Sequence, residues 1–207
     1  MMERGRPLQV MRVAAVLVVL AAIVVQAITL ANAGAFNATR FFAFFTIQSN
    51  LVGVAAFVLL IAGRGREPSR GLDLLRGGAV IYLTVTFFVV IFLLSGIDVQ
   101  LQLVWVDVVL HKLFPIVVVI DWILDPPRTR LTLRDVMLWI VYPLIWTALT
   151  LVRGAVDSWY PYPFLDPANG GYAAVAATAV AITVAFVVIG VAALAIGTAR
   201  ARSVRPV

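Results

Sequence analysis

The chain has 207 residues, a mass of 22.4 kDa, a formal net charge of +6 and a mean hydropathy of +1.05. Apolar residues make up 63% of it and charged residues only 13%, too few polar groups to coat a water-soluble domain. Disorder is excluded as well, because disordered chains are poor in apolar residues. With no cysteine and a single histidine, disulfides, thiolate metal sites, cysteine nucleophiles and multi-histidine metal centres drop out. The composition predicts an all-α, polytopic membrane protein.

Six apolar stretches are long enough, or nearly so, to cross a hydrocarbon core at about 1.5 Å per residue. In chain order they are Val13–Leu30, Phe41–Ala62, Gly78–Gly96, Leu101–Leu124, Val136–Val152 and Tyr172–Ile196. The connections leave no room for a soluble domain, so residues 1–207 read as one integral membrane domain, a six-helix transmembrane bundle. The first stretch has a competing reading, since basic residues precede it and Ala31-Asn32-Ala33 is an A-x-A cleavage pattern. Its apolar run is longer than a usual signal core and contains Gln26, and five further stretches follow, so retention as the first span is expected. Thirteen of the fifteen arginines fall in the N-terminal segment, the second and fourth connections and the C-terminal tail. Six crossings put these four segments on one side, and only Arg40 and Arg153 on the other. The positive-inside rule then predicts cytoplasmic termini. The high isoelectric point follows from topology and contact with anionic lipid, with no nucleic-acid partner expected.

Polar groups inside apolar runs are the next signal, because each costs energy unless partnered. The second run opens Phe41-Phe42-Ala43-Phe44-Phe45-Thr46-Ile47-Gln48-Ser49-Asn50. Thr46 and Asn50 are four apart and share a helical face. Such groups serve as interhelical hydrogen bonds, but a threonine hydroxyl beside a base in a desolvated pocket is also a nucleophile. The fourth run supplies that base in Asp107-Val108-Val109-Leu110-His111-Lys112-Leu113-Phe114-Pro115. Asp107, four residues before His111, orients the imidazole, pairs with Lys112 across the helix end or sits at the outer interface. Pro115 predicts a kink or local opening. Thr46 falls roughly 8 Å and His111 roughly 15 Å along their inward-running spans, depths that permit one shared cavity.

Gln26, Tyr82, Thr84, Thr86, Ser95, Tyr142, Trp146 and Thr147 either connect helices or line such a cavity, with Tyr82, Thr86, Tyr142 and Trp146 the candidates for substrate contact. Asp121 and Asp125 lie near Arg128, Arg130 and Arg134, which predicts an interfacial charge network, and Pro126-Pro127 ends that helix. The fifth connection, with Trp159-Tyr160-Pro161-Tyr162-Pro163-Phe164-Leu165-Asp166-Pro167, suits an interfacial cap. As a lid it would place Phe164 and Leu165 against lipid chains, with Asp166 as a third candidate for catalytic support.

At Phe45-Thr46-Ile47-Gln48-Ser49-Asn50, His111-Lys112-Leu113-Phe114-Pro115, Asp121-Trp122 and Tyr162-Pro163-Phe164-Leu165-Asp166, the chain resembles the bacterial Pr6Pr family of six-span membrane proteins. It is more distantly similar to the androgen-induced membrane hydrolases of the FAR-17a/AIG family. The first resemblance covers nearly the whole chain and implies a multi-pass protein of the bacterial cytoplasmic membrane. The second implies hydrolysis of fatty acid esters of hydroxy fatty acids, with Thr46 and His111 at the positions of the required intramembrane threonine and histidine.

Two functions follow. The first is a cofactor-free, metal-free lipid-ester hydrolase with Thr46 as nucleophile and His111 as general base, acting on a fatty-acyl ester drawn from the membrane lipids around it. Asn50, Gln48 or Lys112 would then supply the oxyanion donor. The second is a lipid- or small-solute-binding transporter or membrane scaffold, which six spans and a polar cavity also suit. The chain lacks a nucleotide motif, an evident repeat and a dense charge relay. Its sequence carries no signal for an oligomeric state.

Overall fold

The computed structural model describes residues 2–95 and 103–204, and its regular structure there is entirely helical. In chain order the α-helices are α1 (Met2–Asn32), α2 (Ala38–Phe41), α3 (Phe45–Ala62), α4 (Arg70–Leu93), α5 (Val104–Val108), α6 (Phe114–Leu124), α7 (Leu133–Asp157) and α8 (Gly171–Val204). Five of them, α1, α3, α4, α7 and α8, are long and apolar enough to cross a membrane. Their outward faces remain apolar: Val152, Val180, Val184 and Val188 are all exposed. Gly96, Asp98 and Leu101 lie outside the described residues, as does Arg205.

The fourth apolar run departs from a plain long α-helix. Between α5 and α6 the segment Val109–Leu113 is a π-helix, so helical backbone continues from Val104 to Leu124 with one widened turn. The Phe114 N–H bonds to Val109 O, five residues back. In that register the next donor would be Pro115, which has no N–H, so Leu110 O lacks its backbone partner. Asn50 Nδ2 donates to Leu110 O at 3.1 Å. Pro143 leaves Trp139 O without an α-helical donor in the same way, and Tyr82 OH donates to it at 2.9 Å. The breaks at Pro115 and Pro143 are thus each closed by a side chain from a neighbouring helix.

Helix ends differ from the apolar runs because capping, not hydropathy, sets them. Ser69 Oγ accepts from Leu72 N–H and starts α4 at Arg70, ahead of Gly78. A Thr132–Asp135 capping box starts α7 at Leu133. The second run begins later than expected: Phe44 is extended and α3 starts at Phe45. Thr46 therefore sits in the first turn of its helix rather than a turn and a half into it.

Helix α4 is the hub, packing against α3, α6, α7 and α8, while α1 lies along α3 and α6. Gly53 of α3 leaves room for side chains of α6 and α4: a Cβ there would meet Phe114 Cε1 at 2.7 Å and Leu83 Cδ1 at 2.9 Å. At one end of the bundle a buried ion-pair cluster joins four elements. Arg12 of α1 reaches Asp121 and Asp125 at 2.6 Å each. Arg76 of α4 reaches Asp121 at 3.1 Å and Asp73 at 3.5 Å. Asp73 also accepts from the backbone N–H groups of Arg128 and Thr129. The charge network expected around Asp121 and Asp125 is present, but its main cations are Arg12 and Arg76. Arg128 pairs with Asp125, and Arg130 contributes a carbonyl to Arg70. Arg12 is only 3% exposed, which makes α1 an integral part of the bundle.

Candidate functional site

At the opposite end from the ion-pair cluster, the first turn of α3 presents Thr46. A helix start leaves N–H groups without intrahelical acceptors, and the N-cap residue Phe44 offers no side-chain acceptor. Tyr162, from the loop between α7 and α8, fills the role: its OH accepts from Thr46 N–H at 3.2 Å. The same hydroxyl lies 3.2 Å from Thr46 Oγ1. The loop holds Tyr162 by stacking on Phe164, with ring centroids 5.2 Å apart, and by an edge contact with Phe44 at 5.6 Å. Pro163–Leu165 and Pro167–Asn169 form two 3-10 turns that make this loop an ordered cap.

Across from Tyr162, His111 Nε2 lies 3.1 Å from Thr46 Oγ1. His111 Nδ1 lies 2.8 Å from Asp107 Oδ1. A carboxylate only accepts hydrogen bonds, so it holds the imidazole proton on Nδ1 and leaves the Nε2 lone pair facing the threonine hydroxyl. The result is a continuous relay, Asp107 to His111 to Thr46, with Tyr162 on the other side of the hydroxyl. Thr46 is 6% exposed and His111 2%, whereas the Asp107 side chain is 29% exposed. Burial pushes the Tyr162 phenol above its ordinary value, against the opposing effect of its contacts with Thr46 and the Phe45 backbone. It therefore keeps its proton.

Thr46 and Tyr162 also line a narrow pocket with a cavity volume of about 50 Å³. Its walls come from α3, α4, α7, α8 and the capping loop, and are mostly aliphatic or aromatic. Thr86, Trp146, Phe164 and Leu165, expected at a substrate site, line it. Tyr82 and Tyr142 contact the lining ring of Phe45, and Tyr82 also contacts Phe186. His111 stands behind Thr46, outside the lining residues.

The expected supporting residues are placed differently from one another. Asn50 Nδ2 donates to Thr46 O at 2.8 Å as well as to Leu110 O, bracing α3 against the π turn. Gln48 donates to Phe42 O at 2.7 Å and accepts from Tyr142 OH. Lys112 Nζ is 3.8 Å from the second Asp107 oxygen and about half exposed, so Asp107 serves both His111 and Lys112. Asp166 is engaged in the loop, where it accepts from Ala168 N–H at 2.9 Å. Tyr162 is the residue that sequence reasoning leaves out of the site. Only the Tyr-Pro-Phe-Leu-Asp run draws attention to its loop, and its partner Thr46 lies 116 positions away.

The chain matches no family model, no curated protein and no solved structure.

Proposed function

We propose that the chain is a six-span lipid-ester hydrolase of a bacterial plasma membrane, with cytoplasmic termini, Thr46 as nucleophile and His111 as general base. One observation carries this reading: a histidine oriented by a carboxylate meets a threonine hydroxyl at 3.1 Å, and that threonine lines an apolar pocket. A group fixed only for helix packing needs neither the third residue nor the pocket. The resemblance to the Pr6Pr and FAR-17a/AIG families accords with the same two residues. On this reading the broken helical path from Val104 to Leu124, about 30 Å long, serves as a sixth crossing beside the five long apolar helices.

In the first half-reaction Thr46 Oγ attacks the ester carbonyl carbon while its proton passes to His111 Nε2. The carbonyl π pair moves to oxygen, giving a tetrahedral oxyanion. Collapse re-forms the carbonyl, breaks the bond to the alcohol oxygen and delivers the His111 proton to that leaving group. The second half-reaction repeats the steps with water: His111 takes its proton, hydroxide adds to the acyl-threonine, and Thr46 Oγ leaves and is reprotonated. The carboxylate of Asp107 stabilises the imidazolium formed each time. Apolar walls suit an acyl chain arriving from the bilayer better than a hydrated solute.

The test is turnover of a long-chain ester in detergent micelles by purified protein. Thr46→Ala and His111→Ala, each folded as judged by circular dichroism and gel filtration, are expected to lose at least about 1000-fold in kcat/KM. Parental turnover by either folded variant refutes the mechanism.

A further inference from the structure

We infer that the Tyr162 hydroxyl is the oxyanion donor, a catalytic residue of the ester cleavage proposed above, on which this inference rests. Attack by Thr46 places negative charge on an oxygen one carbon removed from Oγ1. A donor within hydrogen-bond reach of Oγ1 reaches that oxyanion when the carbonyl oxygen is directed to its side of the threonine. Among the described residues, the side chains hydrogen-bonded to Thr46 Oγ1 are His111 and Tyr162. His111 is the base, so it cannot also serve as the fixed donor.

Several other side-chain donors near Thr46 are engaged elsewhere. The Asn50 amide donates to Thr46 O and Leu110 O, and the Gln48 amide to Phe42 O. Trp146 Nε1 donates to Ala43 O at 3.0 Å, Thr86 Oγ1 to Tyr82 O at 2.8 Å, and Thr183 Oγ1 to Ala179 O at 2.8 Å. Lys112 stands beside Asp107 on the far side of His111. Tyr162 differs because its oxygen accepts from Thr46 N–H, which leaves its own proton free to donate. In the resting site that proton goes to Thr46 Oγ1. As Oγ1 becomes an ester oxygen it turns into a poorer acceptor, and the oxyanion beside it becomes the better one. No proton is transferred: Tyr162 holds its hydrogen throughout, and the charge is cancelled when the carbonyl re-forms.

Two further features prepare the donor. Stacking on Phe164 and the edge contact with Phe44 fix the ring before substrate arrives, so no reorganisation accompanies the reaction. Thr46 also sits in the first turn of an 18-residue helix, whose positive end favours the same developing charge.

The experiment uses full-length protein in detergent micelles, a long-chain ester substrate and two inhibitors of equal chain length. An alkyl trifluoromethyl ketone adds Thr46 to form an oxyanionic adduct, whereas the alkyl methyl ketone only fills the pocket. Tyr162→Phe is expected to lower kcat by about 100-fold with KM within about twofold, and to weaken the trifluoromethyl ketone by a similar factor. The methyl ketone should bind as it does to the parent, which a merely structural role for Tyr162 would not preserve. For a protein that tolerates no phenylalanine there, 3,5-difluorotyrosine at position 162 keeps the shape and lowers the phenol ionisation. Its kcat should then fall as pH rises through that ionisation, because a phenolate cannot donate, and an unchanged profile overturns the assignment. If Thr46→Ala is inactive but Tyr162→Phe keeps kcat within about threefold, or weakens both ketones equally, Tyr162 is not the donor and the hydrolase reading stands. Parental turnover by Thr46→Ala removes the hydrolase reading and this inference with it.

Discussion

Replacing Asp107 with Asn removes one charge from the relay and little else. The carboxylate lies 2.8 Å from His111 Nδ1, and in the proposed mechanism its work is done when His111 becomes an imidazolium. Two unit charges at about 4 Å interact by roughly 4 kcal/mol at an effective dielectric near 20. Asp107 is 29% exposed and shares its charge with Lys112, so about 2–4 kcal/mol is a reasonable span for what remains. At 1.36 kcal/mol per decade this is a loss of about 30- to 1000-fold in kcat. The amide can still accept from Nδ1–H through its oxygen, which places the expectation inside that range rather than above it. KM should change little, since Asp107 is remote from the pocket lining. The assay is steady-state hydrolysis of a long-chain ester by the parent and Asp107→Asn in the same detergent. A kcat within about threefold of the parent would refute the argument that the carboxylate stabilises the imidazolium.

Two other outcomes follow from the ion-pair cluster and the pocket. Burial alone would raise the Asp125 carboxyl, but Arg76, Arg12 and Arg128 hold it below the usual aspartate range. A depressed folded value makes its stabilisation complete above about pH 5 and lost as pH falls below the unfolded value near 3.9. Thermal unfolding in detergent should therefore show a Tm that drops with acid, and Asp125→Asn should lower the neutral Tm while flattening that drop. In the pocket, Ala179 lines the wall on α8, and Ala179→Phe should occupy chain space. Hydrolysis of a long-chain ester should fall by at least about tenfold relative to a short-chain one, measured as the ratio of kcat/KM values. An unchanged ratio would mean that the acyl chain lies elsewhere.

Residue type makes part of this site conspicuous in the sequence. Thr46, His111 and Asp107 are polar groups inside apolar runs, where each needs a partner, and the structure joins them in one relay. The widened turn is harder to read. Pro115 announces a disturbance, but the choice of a π turn depends on Asn50 of α3 reaching Leu110 O. Tyr162 is hidden for another reason: an aromatic residue in a proline-rich loop suits a membrane interface whether or not its hydroxyl reaches a helix start. Sequence neighbourhood also misdirects at the other end. Arg128, Arg130 and Arg134 are near Asp121 and Asp125 in the chain, while Arg12 lies 109 positions from Asp121 and bonds to it at 2.6 Å. The long apolar helices are legible because burial in lipid leaves a composition no other environment needs, whereas their ends depend on caps such as Ser69 and Thr132.

The central claim is that Thr46 carries the acyl group, and mass spectrometry of acid-quenched protein tests it directly. Protein mixed with a long-chain ester and quenched within the first turnover should yield a peptide containing Thr46 heavier by one acyl group. The adduct should be absent from Thr46→Ala and slow to form in His111→Ala. Ester turnover by the parent protein with the acyl group on another residue, or undiminished in folded Thr46→Ala, would contradict the account.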